Sequence, residues 1–199
     1  SSGNVFDIRK AMVQERSSLG LSDVTGKTIA HYVLLNAELS KNDKYDGRLH
    51  EAAGQALDTK IILFQGGFTN HRGIERILNM AKCLGDGWCT VFMGWGGLEK
   101  LIDKESRSYP HKIVRIPAAP QSELDQWSSG AYVGLIPYED FGMNHMYCTP
   151  NKLWEYPNAG VPIVASPRVE LKKIVERYNT GWIYDERLSA KALAEFVMD

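Results

Sequence analysis

TPNKLWEYPNAGVPIVAS, residues Thr149 to Ser166, decides how this chain is read. The stretch predicts a short loop, a helix start, an exposed-face helix, a Gly-Val-Pro break and a short buried strand. Pro150-Asn151 is a helix-entry signal, because Asn caps amides and Pro cannot continue a preceding element. Gly160 and Pro162 end the helix, and Ile163-Val164-Ala165 is an apolar run suited to a central parallel strand. Lys152 and Glu155 fall in the first turns. An ammonium beside a carboxylate suits a ligand that carries both phosphates and hydroxyls.

Outward from this stretch, the chain alternates between strand and helix. KIILFQGG (Lys60 to Gly67), CTVFMGWG (Cys89 to Gly96), KIVRI (Lys112 to Ile116) and AYVGLIP (Ala131 to Pro137) read as strands. Ile74, Ile77, Leu78, Ala81 and Leu84 fall on one helical face. Further helices are expected from Leu98 to about Ser106, from Gln121-Ser122 through Trp127 with Ser122 as N-cap, from Val169 to Tyr178 and from Ser189 to Met198. Tyr138 to Thr149 reads as a polar and aromatic loop, and Gly181 to Tyr184 as a small strand. This order predicts a Rossmann-like α/β domain, a parallel sheet with helices on both faces. The first 57 residues lack the alternation. Val5, Ile8 and Met12 share a helical face, Thr28 to Asn36 is strand-like, Glu38 to Gly47 reads as linker, and Arg48 to Leu57 as helical.

The 199 residues are 44% hydrophobic and 24% charged, with a net charge of −1. That balance fits a globular domain and excludes a global field that would favour nucleic acid. Cys83, Cys89 and Cys148 have no CxxC spacing, so a reduced, cytoplasmic setting is expected, with Cys83 and Cys89 as small buried hydrophobes. No apolar run reaches the roughly 18 residues of a membrane-spanning helix. Ser1-Ser2-Gly3 reads as a cloning remnant, and the chain is expected to be a fragment.

Two segments carry site chemistry. Gly66-Gly67 followed by Arg72-Gly73 forms a strand-to-helix turn, where glycines let the backbone approach an anion and Arg72 can hold a diphosphate. Asn151 to Glu155 offers helix amides, the Lys152 charge and a carboxylate able to accept two hydrogen bonds from a ribose diol. The turn from Arg115 to Ala119 could face a base. His145, in the loop with Glu139, Asp140, Asn144 and Tyr147, has no partner at metal-ligand spacing. The other histidines, His31, His50, His71 and His111, read as surface or turn residues. No metal site is expected. The absence of G-x-G-x-x-G disfavours a dinucleotide oxidoreductase.

KIILFQGGFTNHRGIE, YVGLIPY, the N-x-x-Y-x-x-PNKLWEY run and AGVPIVAS together resemble the C-terminal, donor-binding domain of GT-B glycosyltransferases of the retaining family-four type, the group 1 glycosyl transferases. The resemblance spans about Lys60 to Asp199. It implies that Glu155 binds the donor ribose, Arg72 and Lys152 the diphosphate, the amides of Asn151 to Leu153 a phosphate, and the backbone near Ile116 the base. It implies a nucleoside-diphosphate sugar as donor substrate with no obligatory cofactor. The implied activity is sugar transfer with retention, in glycan or polysaccharide biosynthesis. The chain would divide into residues 1–57, the tail of an N-terminal domain and linker, and residues 58–199, the nucleotide-sugar-binding domain. Its partner would be its own missing N-terminal acceptor domain, which would also carry any peripheral membrane contact, and the chain alone would be inactive. The family often has a second glutamate with seven residues between it and the first; Tyr147 stands at the first position. A second basic residue often found near Gly66 is absent. The alternatives are a sugar-nucleotide epimerase-like enzyme and a non-catalytic domain that keeps the fold for partner binding.

Overall fold

A computed structural model describes residues 45–199. The expectations for the helical face at Val5, the strand from Thr28 and most of the linker lie outside the described residues. The elements are α1 (Arg48–Ala52), β1 (Lys60–Gly67), α2 (Ile74–Ala81), β2 (Trp88–Trp95), α3 (Glu99–Ser108) and β3 (Ile113–Ile116). A 3-10 turn (Gln121–Glu123) leads into α4 (Leu124–Ser128), then β4 (Val133–Ile136), α5 (Gly142–Tyr147) and α6 (Lys152–Asn158). β5 (Ile163–Ala165), α7 (Val169–Tyr178), β6 (Gly181–Ile183) and α8 (Ala190–Met198) complete the chain.

The six strands pair in parallel in the order β3-β2-β1-β4-β5-β6. This is the Rossmann-like α/β architecture expected from the alternation. Successive strands step outward from β1 to β3, then the chain crosses back to β4 on the other side of β1. Reversal of strand order at β1/β4 opens a crevice at the carboxyl ends of those strands. Side chains alternate between two apolar layers. Ile62, Phe64, Phe92 and Leu135 pack with Ile77 and Leu193 of α2 and α8. Ile61, Leu63, Val91 and Ile163 pack with Leu49, Leu153, Tyr156 and Leu171 of α1, α6 and α7.

The β1–β4 ladder is short, pairing only Ile62 with Val133 and Leu63 with Gly134. Tyr132 N–H donates to the Ile61 carbonyl at 2.7 Å, and beyond Gly134 the strands part. Gly134 leaves room there for the Tyr156 ring, which a Cβ on residue 134 would meet at 2.5 Å. The ring lies flat enough on β4 to carry its hydroxyl across to β1. Tyr156 Oη accepts from Gln65 N–H and donates to the Leu63 carbonyl, both at 3.0 Å. It thus satisfies backbone groups that the parting strands leave without a ladder partner.

Several local expectations are corrected. The loop from Tyr138 to Thr149 contains the helical turn α5. Ser122 does not cap a helix; it lies inside the 3-10 turn after Pro120, and α4 begins at Leu124. Cys83 is exposed, because Met80, Ala81 and Leu84 occupy the buried side of the α2 end, and its thiol turns to the Asn79 carbonyl. His50 is buried, between Tyr45 Oη and the Thr59 carbonyl, because α1 packs on the sheet. The helix at Arg48 stops at Ala52, where Gly54 follows in a left-handed conformation.

Gly134→Ala would force the Tyr156 ring off β4. Overpacking of this kind costs about 1–3 kcal/mol. The expected result is a lower urea midpoint with an unchanged slope, and an unshifted midpoint would contradict this packing.

Candidate functional site

Two turns meet at the crevice. The first follows β1. Gly66 has φ +115° and Gly73 has φ +74°, and a Cβ on residue 73 would clash with the Pro137 carbonyl, so a side chain at 73 has no place. The close approach holds the β1–α2 turn against the exit of β4, and Glu139 N–H donates to the His71 carbonyl at 3.1 Å across the same junction. Nothing crowds Gly67. This arrangement brings the Arg72 guanidinium over the Tyr138 ring, 4.4 Å from its centre.

The second turn leads into α6. Contrary to the expected exposed-face helix, Lys152, Leu153 and Tyr156 are buried, because α6 packs into the split between β1 and β4. Lys152 is only 6% exposed. Its Nζ donates to the Gln65 carbonyl at 3.0 Å and lies 3.8 Å from the centre of the Phe64 ring and 5.4 Å from that of Tyr138. Burial, reinforced by the Arg72 charge, pushes the Lys152 ammonium down to about 7, against the opposing pull of Glu155. Two cations therefore converge on Tyr138 beside a glycine turn. Asn151 has helical backbone angles and makes no side-chain cap, and the Leu153 N–H donates to the Pro150 carbonyl at 2.9 Å. The Leu153 amide expected to bind phosphate is thus engaged inside the helix-entry turn.

Glu155 does not pair with Lys152 across one helical turn. Each reaches the same residue. Gln65 Nε2 donates to Glu155 Oε2 at 2.8 Å, while Ser128 Oγ donates to Gln65 Oε1 at 2.7 Å. The second carboxylate oxygen, Oε1, has among the described residues only a long 3.4 Å contact from Gln121 Nε2. Ile116 ends β3 with its side chain in the core, so only its backbone and the following turn can meet a ligand. Tyr147 closes α5 and is 54% exposed.

His71 and His145 join the same edge. His71 stacks on Phe141 with ring centres 3.5 Å apart and hydrogen-bonds Glu139 at 3.0 Å. Burial, with the Arg72 and His71 charges, lowers the His145 pKa. Among the described residues no group of three or more His, Cys, Asp or Glu could hold a metal ion. Arg168, almost fully buried after β5, pairs with Glu186 and lies 3.5 Å from Asp140, tying the turns after β4 and β6. Trp95 is 69% exposed at the end of β2, in register with Gly67. Sequence reasoning missed Gln65, Tyr138, Tyr156, Arg168 and Trp95. A polar Gln closing the apolar run Ile61 to Phe64 was the available signal for the first.

The fold and crevice define a Rossmann-like domain with cations and a carboxylate at its switch point. The pattern of the family Glycosyl transferases group 1 matches residues 47–199, and the chain belongs to this family. Comparison with curated protein sequences returns no match. Similar solved structures include glycosyltransferases. WaaG, a glycosyltransferase involved in lipopolysaccharide biosynthesis, superposes with TM-score 0.60 at 12% identity over 80% of this chain and 43% of that one. AviGT4, a glycosyltransferase involved in avilamycin A biosynthesis, gives 0.53 at 19% identity, over 74% and 44%. Anabaena Alr3699/HepE in complex with UDP and glucose gives 0.57 at 12% identity, over 76% and 41%. The chain thus spans less than half the length of these three. No helix among the described residues is long and apolar enough to cross a membrane.

Unfolded lysine titrates near 10.5, and folded Lys152 near 7. Below about 7 both states hold the proton and the full burial cost opposes folding. Between 7 and 10.5 the unfolded state binds more protons, so this cost falls as pH rises. Lys152→Met is expected to be stabilised relative to the parent at and below neutrality, with the gap narrowing as pH rises. Denaturant titrations at several pH values read it, and a pH-independent gap would contradict the burial of a charged Lys152.

Proposed function

We propose that this chain is the donor-binding part of a glycosyltransferase that takes a sugar from a nucleoside diphosphate and passes it to an acceptor hydroxyl. The convergence of Arg72 and Lys152 on Tyr138, beside Glu155, carries this reading. Two cations at such close quarters repel each other, and an anion between them relieves that repulsion. A diphosphate there leaves Glu155 facing the ribose and the β3 exit near Ile116 facing the base. The exposed Trp95 offers a flat surface on the same side.

In the transfer, the bond from the anomeric carbon to the leaving diphosphate oxygen breaks, and the acceptor oxygen bonds to that carbon and passes its proton to the departing diphosphate. Charge grows on the diphosphate, and Arg72 and Lys152 stabilise it electrostatically. These side chains, rather than the Leu153 amide, serve the diphosphate, and the reading requires no metal. The acceptor would be held by an N-terminal domain, which would also bear any membrane contact. Retention and a role in polysaccharide biosynthesis rest on the family resemblance, and a cytoplasmic location on the spacing of the three cysteines. The HepE complexes with UDP support a nucleotide donor by analogy of fold.

Thermal shifts with UDP, GDP and ADP sugars test the donor class; a ligand at about 100 times its dissociation constant adds about 2.7 kcal/mol. Glu155→Ala is expected to weaken nucleotide affinity by about 1–3 kcal/mol in calorimetry, the cost of losing hydrogen bonds to a charge. Unchanged affinity would remove the ribose role. Lys152 gives a second readout. About one pH unit above 7, Lys152 in the ligand-free protein has largely lost its proton, and a bound diphosphate favours the charged form, so binding takes up a proton. Calorimetry in two buffers of different ionisation enthalpy measures that uptake, and its absence during binding would exclude contact between Lys152 and the diphosphate.

A further inference from the structure

The geometry points to Gln65 as a positioning residue that sets the ribose selectivity of the crevice by orienting Glu155. This inference rests on the proposed ribose role of Glu155 and adds to it the device that aims the carboxylate. Gln65 ends the apolar core of β1 and is 4% exposed, so its amide must be fully partnered where it stands. All of its polar groups are bonded. Its N–H goes to Tyr156 Oη, its carbonyl takes Lys152 Nζ, its Nε2 goes to Glu155 Oε2, and its Oε1 takes Ser128 Oγ.

The direction of this relay is fixed by charge. If the Gln65 amide flipped, its oxygen would face the Glu155 carboxylate, two acceptors opposed at the half-buried end of the crevice. The carboxylate therefore demands the NH2 group, which turns Oε1 toward Ser128 and makes the serine hydroxyl the donor. Ser128 is fully buried. Donors thus run in one sense, from Ser128 through Gln65 to Glu155, and each bond polarises the next. The relay engages Oε2 at 2.8 Å and leaves Oε1 with a single long contact among the described residues. A carboxylate held by one oxygen, with the other presented outward, is pre-oriented for a diol. Without Gln65 the same carboxylate could rotate among several rotamers and lose that aim.

The test compares UDP, GDP and ADP with their 2′,3′-dideoxy counterparts, by calorimetry on the whole chain. The parent protein is expected to favour the ribonucleotide by about tenfold or more, as for loss of hydrogen bonds to a charged group. Gln65→Met keeps the volume and removes the donor; it should bring that ratio close to one while dideoxynucleotide affinity stays near the parent value. Ser128→Ala leaves Gln65 Oε1 without its donor and so loosens the amide, whose sense the carboxylate still sets; it should lower the ratio less than Gln65→Met does. Gln65→Glu should recover the ratio only in acid, where the new carboxyl holds a proton to donate to Glu155. A purely structural role would lower affinity for both nucleotide types together and leave the ratio intact in all three variants. That result overturns the relay while leaving the ribose role of Glu155 standing. A parent ratio of one, or no binding of any diphosphate, removes the ribose role and the relay with it.

Discussion

The Tyr156 hydroxyl, set in the gap where β1 and β4 part, is the contact on which the rest of the crevice depends. A parallel sheet that reverses its strand order must open at the reversal, and opening it strips backbone groups of partners. In this chain the Leu63 carbonyl and the Gln65 N–H are served by one phenol oxygen, and the next carbonyl by Lys152 Nζ. Burial raises the Tyr156 pKa far above its ordinary value, so the hydroxyl remains a donor as well as an acceptor. The repair comes from a helix packed into the opening, and the same helix delivers the charged groups.

This explains how a lysine comes to be buried at all. Lys152 gives up most of its hydration for one carbonyl and two aromatic faces, and Arg72 makes its position worse. Isolated, such an ammonium would be a liability to folding. At a crevice whose ligand brings negative charge, the same cost becomes a reserve of binding energy, since the anion restores what burial removed. Glu155 sits one helical turn away yet is held from below, through Gln65, so the cation and the carboxylate stay separate instead of neutralising each other.

Much of this was legible in the sequence because strand and helix periods alternate cleanly from Lys60 onward. Gly66, Arg72, Gly73, Lys152 and Glu155 announce themselves by residue type beside glycine turns or a helix start, and the structure brings them to one edge. What the sequence hid is relational. Nothing in the string shows that Gln65 meets Glu155, 90 residues later, or that Gly134 exists to seat Tyr156. Ser122 misled because a capping residue type also suits a 3-10 turn. Cys83 misled because thiols are usually buried, while its place at the end of α2 turns it outward. The helical turn α5 escaped notice because six residues are too few to display a period.

The register of α6 against β1 also sets a rule about length. Residues 152, 155 and 156 reach the Leu63–Gln65 edge together only because they share one side of a helix that turns about 100° per residue. Inserting or deleting a single residue between Lys152 and Tyr156 would swing one contact off that edge whatever the inserted side chain. The flanking turn from Gly142 to Thr149 is less tied, because the contacts to Arg72, His71 and Arg168 fall on Tyr138 to Phe141 before it. Variation in chain length among proteins built this way should therefore collect in that turn and stop abruptly at Pro150.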